Sequence, residues 1–335
     1  MTIVLDAMGS DNYPDPEIQG AIDAAKLLNE EIILVGQQEL IEPKLNQLNT
    51  KNLPIRIHHA SDVMEMSDKP VESARKKPDN SMAVGLSLVK SGQAQAFVTA
   101  GNTGAALFNA LRTLGRIKGV QRPALTALFP VYKGHCVVLD IGANADCRPD
   151  YLLQFGIMGS VYAEKVLNKP GPRVGLLSNG EEAGKGNQLV KDCYPLLEQS
   201  GLNFIGNIEG KELFNGEVDV AITDGFTGNI LLKSSEAVAK LIATTLKEEL
   251  MSSLRTKMGA MLAKPALGAI KKLMDPSDIG AAPLLGIDGL VFVGHGRSNA
   301  KAITSALRVA HEAVQHNLLD ALSLAIQEKM AQLEK

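Results

Sequence analysis

Short apolar runs rich in β-branched residues recur along the chain: TIVLD, EIILVG, IRIHH, AQAFVT, ALTALFPVY, CVVLDIG, RVGLLS, NFIGNI, VDVAIT and LVFVGH. Most are unbroken rather than alternating, which is the pattern of strands buried on both faces of a sheet. Between them, apolar positions return every three or four residues over Pro14–Leu28, Ser81–Ser91, Thr103–Arg116, Tyr151–Leu167 and Gln188–Gln199, and this predicts helices. The alternation predicts a single three-layer α/β/α domain of about ten strands, spanning residues 1–335. A last pattern through Ile303, Leu307, Ala310, Val314, Leu318, Leu322 and Ile326 predicts a long packed helix. No repeat, low-complexity tract or linker interrupts the series.

One segment departs from this rhythm. Leu250 to Met274 reads LMSSLRTKMGAMLAKPALGAIKKLM and holds five cations (Arg255, Lys257, Lys264, Lys271 and Lys272) with no acid. Leu246, Leu250, Leu254, Met258 and Met261 or Leu262 mark one helical stripe; Pro265 interrupts it, and Leu267, Ile270, Leu273 and Met274 mark a second. Residues 246–274 therefore predict a basic, Met-rich helical hairpin inside the domain. Two uses fit it: a dimer interface whose lysines are simply solvated, or contact with anionic lipid or an acidic partner through Leu250, Leu254, Arg255, Lys257, Met258, Met261, Leu262 and Lys264.

In open α/β sheets, ligands bind beyond the carboxyl ends of the strands. Here those ends read DAMGSD, AGNTGA, SNGEEAGKGN, DIGANADC, DGFTGN and GHGRSNAKA. Any one turn is explained by glycine and a helix cap. Six of them, rich in Gly, Asn, Thr and Asp, predict a pocket of backbone donors and short polar groups suited to a small anion. Nucleotide fingerprints are absent. GEEAGKGN lacks the spacing of a phosphate-binding loop, and no GxGxxG follows a strand. Neither is there a GxSxG elbow, so covalent catalysis has no strong candidate. Among the histidines, only His295 sits between glycines after a strand and before a capped helix.

Composition narrows the classes further. The net charge of −3, aromatics at 4% and the lack of Trp argue against a nucleic-acid-binding surface. Without the basic segment the remainder carries −8, so charge is unevenly spread. Cys136, Cys147 and Cys193, with no CxxC, fit a reducing cytoplasm and predict neither a disulfide framework nor a metal site. Neither a secretion signal nor a run of about eighteen apolar residues is apparent, so the expectation is a soluble protein with no membrane span.

Together DAMGSD, DNSMAVGL, FVTAGNTGAAL, LDIGANADC, LLQFGIMGSVYAE, GEEAGKGN, FIGNIEG, TDGFTGN, APLLGIDG and HGRSNAKAI closely resemble, in order and over nearly the whole chain, the bacterial phosphate acyltransferases of phospholipid synthesis (the PlsX family). The resemblance implies transfer of a fatty acyl group from acyl carrier protein to inorganic phosphate, without a cofactor. It implies that a membrane-bound glycerol-3-phosphate acyltransferase uses the acyl phosphate. It also implies a homodimer, a fold like that of isocitrate/isopropylmalate dehydrogenases, and peripheral contact with the inner face of the membrane through the hairpin. Three positions depart from the family pattern: Ser10 replaces the second glycine of DAMGGD, Ser178-Asn179 stands where Asn-Ile is usual, and Gly294 replaces an Ala or Cys.

Phosphate is already an anion at neutral pH, so its reaction with a thioester needs positioning and charge stabilisation more than a nucleophile. On this reading the turns Gly101, Asn102, Thr103, Gly104 and Gly225, Thr227, Gly228, Asn229 donate hydrogen bonds to phosphate, with Asp6, Asn144, Asn187 and Asp224 around them. Lys185 supplies positive charge. His295 polarises the carbonyl oxygen or protonates the leaving thiolate, and Asn299 assists from the following helix. Two rival expectations are a phosphotransacetylase acting on acyl-CoA and a membrane-recruited scaffold that only binds acyl carrier.

Overall fold

The computed structural model describes all residues except 49, 51, 274, 275, 334 and 335, so Met274 of the basic segment lies outside the described residues. The first half of the chain lays down β1 (Thr2–Asp6), α1 (Asp15–Leu28), β2 (Glu31–Gly36), α2 (Gln38–Asn46), β3 (Ile55–His59), α3 (Pro70–Lys76), α4 (Ser81–Lys90), β4 (Ala96–Thr99) and α5 (Thr103–Thr113). The hairpin β5 (Ala124–Val131) and β6 (Gly134–Leu139) follows, then α6 (Pro149–Lys165), β7 (Val174–Leu177), α7 (Gln188–Glu198), β8 (Phe204–Ile208), α8 (Gly210–Asn215) and β9 (Val220–Ile222). After these come α9 (Gly225–Met251), α10 (Leu254–Leu262), α11 (Lys264–Leu273), β10 (Ala281–Leu285), β11 (Leu290–Gly294), α12 (Ala300–Gln315) and α13 (Leu318–Leu333).

The eleven strands among the described residues form one sheet in the order β3-β2-β1-β4-β11-β10-β5-β6-β9-β7-β8. β1 to β4 and β11 run parallel, and so do β6, β9, β7 and β8. Antiparallel pairings at β11-β10, β10-β5 and β5-β6 join the blocks, so the two parallel blocks run in opposite directions. Alternate strand residues feed two cores: Ile3 and Leu5 pack into one, Val4 into the other. Helices α1, α12, α13, α6 and α7 cover one face, and α4, α5 and α8 cover the other, which makes the three layers.

The ten expected strands all form, and β10 is an eleventh. Its sequence, AAPLL, carries no β-branched residue and a proline, so it exists through pairing with β11 rather than through its own propensity. The long C-terminal pattern divides into α12 and α13 because Asn317 takes a left-handed conformation (φ 50°). The stripe from Leu246 to Leu262 also divides. Ser253 accepts from the Thr256 N–H while Thr256 Oγ1 accepts from the Ser253 N–H, a reciprocal cap that ends α9 and starts α10. Pro265 then falls in the first turn of α11, where a missing N–H costs nothing.

Candidate active site

The first group of expected residues gathers at the carboxyl ends of β1, β4 and β11. Asp6 is wholly buried; its Oδ2 accepts from Thr99 Oγ1 at 2.7 Å and its Oδ1 from the Met8 N–H at 3.0 Å. Burial pushes its carboxyl pKa up, against hydrogen bonds from Thr99, Ser81 and Met8. Thr99 Oγ1 in turn accepts from the Gly101 N–H at 2.9 Å, so Asp6 sets the AGNTGA turn through Thr99 rather than facing the open site. Gly9 and Gly101 touch backbone to backbone: a Cβ on Gly9 would stand 2.9 Å from the Gly101 nitrogen. Asn102 caps α5 by accepting from the Ala105 N–H, and its Nδ2 donates to the carbonyls of Met66 and Asp68. Thr103 and Gly104 form the first turn of α5.

Gly294 ends β11, and the turn after it leans on the turn after β1, where the Asp11 N–H donates to the Gly296 carbonyl at 2.7 Å. His295 is half exposed at this junction. Its Nε2 lies 3.7 Å from Glu236 Oε1, which also lies 3.6 Å from Arg297. Burial lowers the His295 pKa, Glu236 raises it, and Arg297 and Lys233 lower it; the result is below the usual imidazole range, so the ring is neutral at pH 7. Asn299 caps α12 through its Oδ1, which accepts from the Ala302 N–H.

The second group forms at the carboxyl ends of β6, β9 and β7. Asp140 is buried, and its oxygens accept from the N–H groups of Leu125, Gly142, Ala143 and Asn144 and from Asn144 Nδ2, at 2.6 to 3.1 Å. A whole loop is wound around one carboxylate. The Asn144 carbonyl accepts from the Gly225 N–H, joining this loop to the start of α9. Asp224 caps that helix, taking the Thr227 N–H on Oδ1 and the Thr227 hydroxyl on Oδ2. A Cβ on Gly228 would lie 2.0 Å from the Asp140 carbonyl, and Asn229 Nδ2 donates to the Ile141 carbonyl. Beside them, the loop after β7 exposes Lys185, and Asn187 caps α7. Glu181, Glu209 and Glu212 converge near this loop, with Lys211 Nζ among them at 2.6 to 3.5 Å supplying the countercharge.

Most of the expected Asn, Asp and Thr side chains are therefore occupied as caps and loop clamps, and the N–H groups of Gly101, Gly225, Thr227 and Gly228, expected to donate to phosphate, are taken within the protein, whereas Lys185 and His295 are exposed. The two turns expected to share one anion belong to strand blocks of opposite direction. They are linked by α9, which starts at Gly225 and brings Glu236 to His295 eleven residues later, about 16 Å along the helix. Sequence reading missed Glu236, which in SSEAVAK looks like an ordinary surface acid, and Thr99, which looks like a strand residue.

A family model described as "Fatty acid synthesis protein" matches residues 1–320. A phosphate acyltransferase of Pelotomaculum thermopropionicum is 46% identical over 98% of this chain and 95% of its own length. One from Acidobacterium capsulatum is 48% identical over 92% of each. Among solved structures, a phosphotransacetylase from Streptococcus pyogenes aligns with a TM-score of 0.58 at 19% identity, covering 94% of each chain. A 4-hydroxythreonine-4-phosphate dehydrogenase from Klebsiella pneumoniae aligns at 0.51 and 13% identity, over 94% of this chain and 98% of its own. These two likenesses concern the fold, which is thus of the dehydrogenase-like three-layer type. With a family match running almost from end to end and relatives at this identity, the chain belongs to the fatty acid synthesis protein family whose members here are phosphate acyltransferases.

Proposed function

We propose that the chain moves an acyl group from the thiol of acyl carrier protein to inorganic phosphate, yielding acyl phosphate and free carrier thiol. The observation that carries this is the near full-length match to relatives named phosphate acyltransferase. In the reaction a phosphate oxygen bonds to the thioester carbonyl carbon, the C–S bond breaks, and the departing thiolate takes up a proton.

Backbone N–H groups of Asn102, Thr103 and Gly104, at the start of α5, hold the anion. His295, one strand over and neutral, donates a hydrogen bond to the carbonyl oxygen as charge develops there, and the thiolate takes up the proton that the attacking hydrogenphosphate sheds once it is acylated. Glu236 stands beside the ring from α9. Gly225, Thr227, Gly228 and Asn229 fix the start of α9 against the Asp140 loop and so set where Glu236 stands. Lys185 adds positive charge from the loop after β7. No metal or cofactor enters this scheme.

The acyl phosphate is then consumed by a glycerol-3-phosphate acyltransferase in the membrane. No described helix is long and apolar enough to span a bilayer. Leu254 and Leu262 are 81% and 84% exposed, however, with Met258 and Met261 beside them and Arg255, Lys257 and Lys264 around them. That arrangement suits a cytoplasmic enzyme resting peripherally on an anionic membrane. The exposed row Phe226, Ile230, Val238, Leu241 and Ile242 on α9 suits pairing with a second copy.

The test is thiol release from palmitoyl-acyl carrier protein with and without inorganic phosphate. Release that requires both protein and phosphate supports the reading. Carrier binding without release would make the protein a scaffold, and release from acyl-CoA alone would make it a phosphotransacetylase.

A further inference from the structure

The loop wound around Asp140 runs on into Arg148 at the start of α6, and there the surface opens into a cleft of about 580 Å³. Arg116, Arg122 and Arg148 wall it, together with Gln121, Tyr151 and Leu111. The Arg148 guanidinium lies over the Tyr151 ring, 4.6 Å from its centre, and that of Arg122 lies 5.9 Å from the same ring. Arg148 Nη2 donates to Gln121 Oε1 at 2.6 Å, and Arg116 Nη1 donates to the Gln121 carbonyl.

Gln121 is itself braced from below. Its N–H donates to Oε1 of Gln154, a fully buried side chain whose Nε2 donates to the Gly119 carbonyl. Arg116 and Arg148 are thus both tied to one braced residue, and Arg122 adjoins it in sequence. Only Arg148 has an acidic partner, Asp150 at 3.2 Å; among the described residues no carboxylate pairs with Arg116 or Arg122. On a chain of net charge −3, three guanidiniums gathered along one cleft oppose the overall sign of the molecule. Arginines stacked on an aromatic ring lose little freedom on meeting carboxylates or phosphates, which they grip in pairs.

We propose that this cleft is the docking face for the acidic protein that delivers the acyl group, an inference that rests on the function proposed above. The cleft adjoins the candidate site through Asn144. Its Nδ2 donates to the carbonyl of Pro123, next to Arg122, and its own carbonyl takes the Gly225 N–H at the start of α9. A carrier seated on the arginines therefore stands beside the loop that anchors α9. An open cleft with exposed guanidiniums suits a protein surface, steered in by charge.

The test measures binding separately from turnover, using fluorescence anisotropy of labelled acyl carrier protein with the full chain. In the double variant Arg122→Glu/Arg148→Glu, carrier Kd and KM rise at least about tenfold, and the salt dependence of binding flattens. KM for phosphate moves less than about twofold. The variant Arg122→Lys/Arg148→Lys keeps charge without the paired grip and falls between the two, which guards against a misfolded charge reversal. Unchanged carrier Kd in a folded double variant overturns the proposal, as does a rise confined to KM for phosphate. If the native protein shows arginine-dependent carrier binding but no phosphate-dependent thiol release, the docking face stands and the proposed reaction falls.

Discussion

Glu236 Oε1 stands 3.7 Å from His295 Nε2, one side chain coming from α9 and the other from the turn after β11. The carboxylate favours the protonated ring, while burial, Arg297 and Lys233 favour the neutral one, and the neutral form wins at pH 7. Glu236→Gln removes the carboxylate that attracts the proton, so the His295 pKa falls further, as read from its ring proton in an NMR titration. A pKa that rises instead removes Glu236 from this role. If neutral His295 is the working form, activity is level near neutral pH and declines only on the acid side of the usual imidazole range. In Glu236→Gln that decline moves to still lower pH.

Gly228 packs so closely against the Asp140 carbonyl that a Cβ would sit 2.0 Å from the oxygen. Gly228→Ala must push α9 away from the Asp140 loop, and the expected cost is about 2 kcal/mol or more. Gly259, in α10, has open space around it, so Gly259→Ala is neutral or stabilising by a few tenths of a kcal/mol to about 1 kcal/mol. Thermal denaturation of both variants is the check. Equal melting temperatures would mean that the start of α9 yields where the packing says it is rigid.

These two contacts explain what the sequence does and does not reveal. TDGFTGN and LDIGANADC are legible as glycine turns because small residues and caps leave local signatures. Their mutual contact is not legible, since it depends on how β6 and β9 pair. The strands of the parallel blocks announce themselves as unbroken apolar runs, whereas β10 owes its existence to its neighbours. Asn102, Asn187, Asp224 and Asn299 read equally well as ligands or caps, because the same short oxygen serves either purpose, and in the structure each caps a helix. Glu236 gives no local sign at all, because its meaning comes from a residue on a distant strand.

Glu17 adds a pH dependence to stability. It is fully buried, its Oε1 accepts from the Ser10 N–H at 2.9 Å, and its Oε2 has no hydrogen-bond partner among the described residues. Burial pushes its carboxyl up to about 7 from 4.5, so the folded chain holds this proton more tightly than the unfolded one does. Its contribution therefore worsens as pH climbs from about 4.5 to about 7 and is fully unfavourable above that. Glu17→Gln should raise the melting temperature at pH 8 by about 2 °C or more, with the gain shrinking toward pH 5. The same gain at both pH values would mean that ionisation of Glu17 is not the cause.

Helices α10 and α11 present apolar side chains to solvent in a segment without a single acid, and the membrane reading can be set against simple self-association. Leu254→Glu and Met258→Glu each place a negative charge at an exposed apolar position without disturbing the buried Ala260. The expected result is loss of co-sedimentation with vesicles rich in anionic lipid, while thiol release from soluble acyl carrier continues. Each lost side chain weakens partitioning by on the order of 1–3 kcal/mol, and the added charge repels the headgroups as well. Raising salt should mimic part of this effect in the unaltered protein, because the cations act through a screened field. If sedimentation is unchanged but the variants run as smaller particles in analytical ultracentrifugation, the exposed leucines and methionines serve contact between copies, and lipid has no part in it.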